Sequence, residues 1–292
     1  MNIKKWIKKN CYSLSGKTIC ITGSTGGLAR KFTKTLVELG ANFVFANRNL
    51  EKSEQQKQEI LAEFPDTKIE IIKTDFSNIT SVKNSAKKLL NYNFNFLILN
   101  AAIYNVAIEK TESGYNNIFQ TNFILPYTFV KLLLPKFKQN KNAKVVLISS
   151  IAHKFSKANF DDIDFTKNAK QNKIYGNSKR FITFSLQKLL FLNNVKLSIV
   201  HPGITLTNMT NHYPKMVNWL VKLGIKLFFP SPQKASLSII SGVFDETKNE
   251  WIGPRIFDIW GYPKKKKLDT CSEQEKDKIF EIAEQIFDKN CQ

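Results

Sequence analysis

Tyr175 and Lys179 lie one helical turn apart in the stretch NKIYGNSKRFITFSLQ, from Asn172 to Gln187, whose apolar positions recur with helical spacing. A phenol and an ammonium on one helix face can act together, because the cation favours the phenolate of a group that otherwise ionises near pH ~10. Such a phenol can give or take a proton at a reacting oxygen. Chance can also produce the spacing: the chain has eight tyrosines, and Tyr127/Lys131 and Tyr262/Lys266 repeat it. The copy at Tyr175 differs in its place along the chain, after a glycine turn, an Asn-Ala-Ala and a Ser-Ser, and before a Pro-Gly.

Elements that position these residues must come from the rest of the chain. Its 292 residues, 42% of them hydrophobic, suffice for one large α/β domain around a buried core. No window reaches the roughly 18 to 20 uninterrupted apolar residues of a membrane span. The basic start MNIKKWIKKN has no apolar run behind it, so it does not read as a secretory signal. Cys11, Cys20, Cys271 and Cys291 are far apart, without metal, redox or disulfide-scaffold spacing. No metal site is expected, and a reducing cytoplasmic home is. The formal charge of +20 is mostly dispersed, with local runs at Lys4 to Lys9 around Trp6 and at Lys264 to Lys267. Solvated termini account for such runs, so no nucleic-acid partner is expected. A basic segment with one Trp also suits a membrane surface.

Lys17 to Thr22 reads as a strand running into GSTGGLARKFTKTLVELG, where helical periodicity takes over until Gly40. A glycine turn between strand and helix lets backbone N–H groups approach a pyrophosphate, and the helix dipole favours the anion. The sequence here resembles the short-chain dehydrogenase/reductase family. Thr22, Gly23, Gly27 and Ala29 fit the turn of its ordinary branch, and Thr22, Gly23, Gly26 and Ala29 that of its extended branch. Ala29 replaces the last glycine in either register. The resemblance implies a Rossmann-type doubly wound parallel sheet, and a dinucleotide on the turn at Gly23, Ser24, Gly26, Gly27 and Leu28.

The second strand, Asn42 to Ala46, ends in Asn47-Arg48, where an acid would bind the ribose hydroxyls of NAD. Arg48 resembles the family residue that pairs with the 2'-phosphate of NADP, so NADP(H) is the expected cofactor and NAD(H) the alternative. A polar helix over Leu50 to Phe64 precedes a strand over Lys68 to Lys73. Asp75 behind it matches the family position at the adenine amino group, with a helix N-cap as the other reading. A strand over Phe94 to Leu99 closes on Asn100-Ala101-Ala102, which resembles the family's Asn-Ala-Gly with Ala102 for Gly. Asn100 and Ala101 would pass under the cofactor. The helical stretch from Ser113 to Lys138 carries Asn122 at the family's helix-interior Asn; a buried structural amide is the alternative.

Lys144 to Ile148 is a continuous apolar strand ending in Ser149-Ser150. By the family pattern Ser150 is the catalytic hydroxyl and Ser149 its structural neighbour. The long interval to Tyr175 and the Ala152-His153 after the serines resemble the retinol-dehydrogenase-like subgroup. For His153, substrate contact and an ordinary loop histidine are the two readings. A strand over Lys196 to Val200 delivers Pro202-Gly203-Ile204 and Thr207, which match the family segment that holds the nicotinamide carboxamide beside Tyr175 and Lys179. The order of all five landmarks favours the ordinary branch.

Residues from about 204 to 230 read as a substrate lid with an apolar stripe interrupted by Lys222 and Lys226; core packing and an interfacial helix are the alternatives. A helix over Ser231 to Phe244 and a last strand over Trp251 to Ile259 follow. The expected organisation is a basic arm over 1–14, a catalytic domain over 15–262, and a basic linker with an amphipathic C-terminal helix over 263–292. That helix is a candidate contact in a homo-oligomer.

The resemblance implies an oxidoreductase that moves a hydride between nicotinamide and a small-molecule carbonyl or alcohol, apolar in character. Ser150 would bind the substrate oxygen, Tyr175 donate or accept the proton, Lys179 lower the Tyr175 pKa and hold the nicotinamide ribose, and Asn122 position a water. The rival readings are a dinucleotide-binding regulator without turnover and a protein that works at a membrane surface.

Overall fold

The computed structural model describes residues 2–165, 170–203 and 230–291. The expected lid, with Ile204 and Thr207, falls outside the described residues. Eight strands form one sheet in the order β3-β2-β1-β4-β5-β6-β7-β8. They are β1 (Thr18–Thr22), β2 (Asn42–Asn47), β3 (Ile69–Lys73), β4 (Phe96–Leu99), β5 (Lys144–Ile148), β6 (Lys196–Val200), β7 (Glu250–Ile256) and β8 (Trp260–Lys267). All pairings are parallel except β7 with β8. The central strands β1, β4 and β5 are apolar throughout or nearly so, because helices cover both faces and leave no wet side.

On one face lie α1 (Ile3–Asn10), α2 (Gly27–Glu38) and α9 (Pro232–Phe244), whose Phe32, Leu36, Leu237 and Ile240 pack against Ile21, Val146 and Val200. The other face carries α4 (Ile79–Leu89), α6 (Leu125–Leu132), α8 (Gln171–Leu192) and α10 (Glu273–Cys291), around Phe119, Phe123, Phe181 and Phe184. Each such buried aromatic or aliphatic side chain is worth about 1.5–3 kcal/mol of transfer free energy, which sets the rigidity of the frame. The α3 helix (Leu50–Glu63) flanks β2 and β3 at one edge.

Four local readings change. Residues 3–10 form a helix capped by Asn2, with Lys4, Lys5, Lys8 and Lys9 exposed but Trp6 buried and stacked on Tyr262. That buried indole is no interfacial anchor. The run Lys264–Lys267 belongs to β8, because Phe257 and Asp258 adopt positive φ and fold the chain back on β7, so the expected single strand to Ile259 is a hairpin.

The helix expected from Ser113 to Lys138 is divided into α5 (Asn117–Phe119), a π turn (Gln120–Ile124), α6 and α7 (Leu134–Gln139). Two prolines cause the divisions. Pro126 and Pro135 have no N–H, and a proline ring in a helix collides with the carbonyl four residues before it, here Asn122 for Pro126. The C-terminal helix buries Ile279, Ala283 and Ile286 against its own chain, with Tyr127 and Lys131 of α6 both bonded to Glu284. Among the described residues no helix is long and apolar enough to cross a membrane.

Candidate active site

A cleft of about 660 Å³ opens at the carboxyl ends of β1, β2, β4, β5 and β6, lined by the glycine turn, Arg48, Asp75, Asn100, Ser150, Tyr175, Lys179 and Gly203. In an open parallel sheet this edge collects ligands, because strands deliver loops and helix N-termini there.

At its first end, Gly23 takes φ +68°, and a Cβ on it would meet Ala101 Cα at 3.1 Å and Asn100 Nδ2 at 3.2 Å. Asn100 Nδ2 donates to the carbonyls of Thr22 and Gly23, at 3.1 and 2.8 Å, and so fixes the turn. Gly26 caps α2 without a side-chain bond, and a Cβ on Gly27 would meet only open space. The first N–H groups of α2 are therefore open toward a ligand, a cradle that fits a pyrophosphate. Leu28 and Ala101 line the same end. Ser24 does not: it is fully buried, its N–H donating to Asn47 Oδ1 at 2.8 Å and its hydroxyl bonded to Gln56.

Arg48 lines the cleft after β2 with Lys52 from the first turn of α3. Asp75 lines the cleft after β3, and its Oδ1 accepts from Ser77 N at 2.9 Å and Ser77 Oγ at 2.7 Å. It does not cap α4; Asn78 does, accepting from Ser81 N.

The other end holds Ser150, Tyr175 and Lys179. Ser149 and Ser150 both line the cleft, and the Ser149 hydroxyl is taken up by Thr183, 2.7 Å between hydroxyls. Ser150 and Tyr175 line the same end of the cleft, and the neighbouring Ser150 hydroxyl favours the Tyr175 phenolate. Burial pushes Tyr175 up to about 12, with Ser150 acting in the other direction and Tyr104 reinforcing the rise. Lys179 is buried and donates to the Ile148 carbonyl at 3.0 Å; burial pulls it down to about 8. Its ammonium lies 5.8 Å from the Tyr175 ring centre. A cation on that side of the ring favours the phenolate over the phenol.

Asn122 sits in the π turn, 2% exposed, with Oδ1 accepting from Ile103 N at 2.8 Å and Nδ2 donating to Ile103 O at 2.9 Å. The structural reading of this amide holds, and it braces the Asn-Ala-Ala segment. Pro126 withholds the usual helical donor from the Asn122 carbonyl. Pro202 and Gly203 line the cleft, Gly203 at φ +85° with a Cβ 3.1 Å from Ile259 O. His153 is fully buried, which removes substrate contact as its role.

The structure adds Lys52, Thr74, Tyr104 and His201 to the lining. Tyr104 stands two residues after the Asn-Ala-Ala, and its ring is 4.7 Å from that of Tyr175. Lys52 stands in the first turn of α3, just after Arg48. Nothing local marks Thr74 or His201. The two other Tyr-x-x-x-Lys pairs are structural: Tyr127 and Lys131 share Glu284, and Tyr262 stacks on Trp6 while Lys266 pairs with Asp258.

Sheet order, glycine cradle and paired phenol and lysine together define a dinucleotide-dependent oxidoreductase architecture. Residues 17–218 match the model of the short chain dehydrogenase family, and the chain belongs to that family. It is 29% identical to mouse retinol dehydrogenase 12 over 259 residues, 83% of this chain and 81% of that one, which places it in the retinol-dehydrogenase-like subgroup. Among solved structures, an uncharacterised protein from Mycobacterium paratuberculosis superposes with a TM-score of 0.73 at 21% identity, covering 95% of each chain. A short-chain dehydrogenase from Sphingobium yanoikuyae in complex with NADPH gives 0.59 at 18% identity, covering 78% of this chain and 84% of that one.

Proposed function

We propose that the chain is an NADP(H)-dependent reductase or dehydrogenase of apolar carbonyl or alcohol substrates. The observation that carries this reading is the convergence of Ser150, Tyr175 and Lys179 on the cleft that holds the glycine cradle, with the Lys179 ammonium 5.8 Å from the Tyr175 ring centre. Gly23, Gly26, Gly27 and Leu28 would hold the pyrophosphate, Arg48 with Lys52 a 2'-phosphate, and Asn100, Ala101, Pro202 and Gly203 the floor beneath the nicotinamide. When bound, the nicotinamide supplies or accepts the hydride.

The protein's own work is at the oxygen. Ser150 donates a hydrogen bond to the substrate oxygen as charge develops there, and Tyr175, protonated at neutral pH in its buried setting, releases its proton to it. Lys179 offsets the cost of the phenolate that remains. Substrate oxidation runs the same groups in reverse, with Tyr175 as base. Ile103 and Tyr104 line the cleft near these groups, and Phe155, 82% exposed, follows Ser150 on its turn, which supports an apolar substrate. The four cysteines are free, and we keep the cytoplasm as the proposed compartment.

The test is turnover of NADPH and NADH by the purified protein with a panel of apolar aldehydes and ketones, beside Tyr175→Phe. The account expects the variant to bind NADPH as the wild type does while its kcat falls by about 10²–10⁴. Undiminished turnover would remove Tyr175 from its role. NADPH binding with no turnover of any panel member would favour a regulator.

A further inference from the structure

His153 lies on the 3₁₀ turn Ile151–Phe155 that Ser150 caps, and none of its surface is exposed. Its Nδ1 is 2.6 Å from the Ser150 carbonyl oxygen. A carbonyl can only accept, so Nδ1 must carry the proton. Burial holds the ring down at about 4, which keeps it neutral with a single N–H, and Nε2 is buried without a hydrogen-bond partner among the described residues. The opposite tautomer would set the Nδ1 lone pair against the carbonyl oxygen at that distance.

The ring is fixed from several sides. It meets Trp251 edge to face at 5.1 Å between centres and Phe184 at 5.9 Å. Its own carbonyl accepts from Arg180 Nη1 at 3.0 Å, and Arg180 is in turn held by Glu275 through Nε and Nη2, both at 2.6 Å. Arg180 directly follows Lys179 on α8, so the turn bearing Ser150 and the helix bearing Tyr175 and Lys179 are tied together through His153.

We propose that His153 is a positioning residue: its Nδ1–H bond to the Ser150 carbonyl orients Ser150 so that its hydroxyl meets Tyr175 and the substrate oxygen. This rests on the reading of Ser150 and Tyr175 as the proton-transfer pair. An Asn at this position can place an N–H close to where Nδ1 stands, whereas a Gln places its amide near the Nε2 position.

Two measurements test it. In the unliganded wild type labelled with 15N-histidine, long-range 1H–15N correlations should show His153 protonated on Nδ1, with His153→Asn identifying its signals; protonation on Nε2 would overturn the proposal. In kinetics, His153→Gln should lose about tenfold to a hundredfold in kcat, the effect of a misplacement of order 1 Å, with KM for NADPH little changed, and His153→Asn should recover most of the loss. Equal kcat in wild type and Gln variant, or equal loss in both variants, overturns the proposal and leaves the functional reading standing. A wild type that turns over no panel member overturns that reading and this proposal with it.

Discussion

Tyr175 carries a proton through neutral pH because its pocket disfavours the phenolate, and the two directions of reaction should therefore respond to pH with opposite sign. Alcohol oxidation needs the phenolate, whose fraction rises as pH rises toward the raised pKa of about 12. Its kcat should increase with pH and bend near pH 8, where Lys179 begins to lose the charge that supports the phenolate. Carbonyl reduction uses the phenol and should stay level from pH 6 to 8. A pH–rate profile in both directions checks this, and an oxidation rate that fell with rising pH would contradict the assignment. Arg48 is the second residue with a sharp consequence. A hydrogen bond to a charged group is worth about 1.5–3 kcal/mol, so Arg48→Ala should weaken NADPH relative to NADH by roughly tenfold to a hundredfold, read from the two Kd values.

Among the elements, α8 is the one on which the site depends most. Gly176 follows Tyr175, and a Cβ there would collide with Ser156 Oγ and lie 3.0 Å from the Ala152 carbonyl. Gly176→Ala should force α8 from the turn after Ser150, costing about 1–3 kcal/mol in denaturant unfolding and lowering kcat as the Ser150 to Tyr175 contact opens. The sequence pattern located α8 well, since its apolar spacing is strong, but it could not show that a helix-interior glycine marks a close approach by another segment. Nor could it show Arg180 and Glu275 as a pair, because they are brought together only by the docking of α10. Removing one partner of that pair, as in Glu275→Leu, should cost about 3 kcal/mol, the lower end for a largely buried ion pair because Glu275 keeps some contact with water. The π turn at Asn122 was half legible: Pro126 announces the break, while the bond of Leu125 N back to Gln120 O, which accommodates it, is tertiary detail.

For the whole molecule, the succession of strands and helices from β1 to β7 was largely readable from the alternation of apolar runs and amphipathic stretches, while the doubly wound parallel arrangement came from the family resemblance. The hairpin of β7 and β8 was not readable, because its turn puts Phe257, a residue with no turn signature, at positive φ beside Asp258. Stability should carry the imprint of buried histidines. His153 and His201 are held neutral at about 4 and about 3, against 6.5 for a free side chain, chiefly by burial. The unfolded chain therefore takes up protons first as pH falls. Their contribution is complete above about pH 6.5 and is lost progressively down to about pH 3, at no more than about 1.4 kcal/mol per pH unit for each. Urea unfolding at stepped pH should show this slope, and His153→Asn should remove one histidine's share of it.

The central claim is that Ser150, Tyr175 and Lys179 serve hydride transfer at the substrate carbon above the nicotinamide floor. Its most direct measurement uses NADPH deuterated at the reactive ring carbon, with mass analysis of the alcohol formed from an apolar aldehyde or ketone. The account predicts one deuterium on the carbinol carbon of the wild-type product and little product from Tyr175→Phe. Product without deuterium, or labelled product formed equally well by Tyr175→Phe, would contradict it.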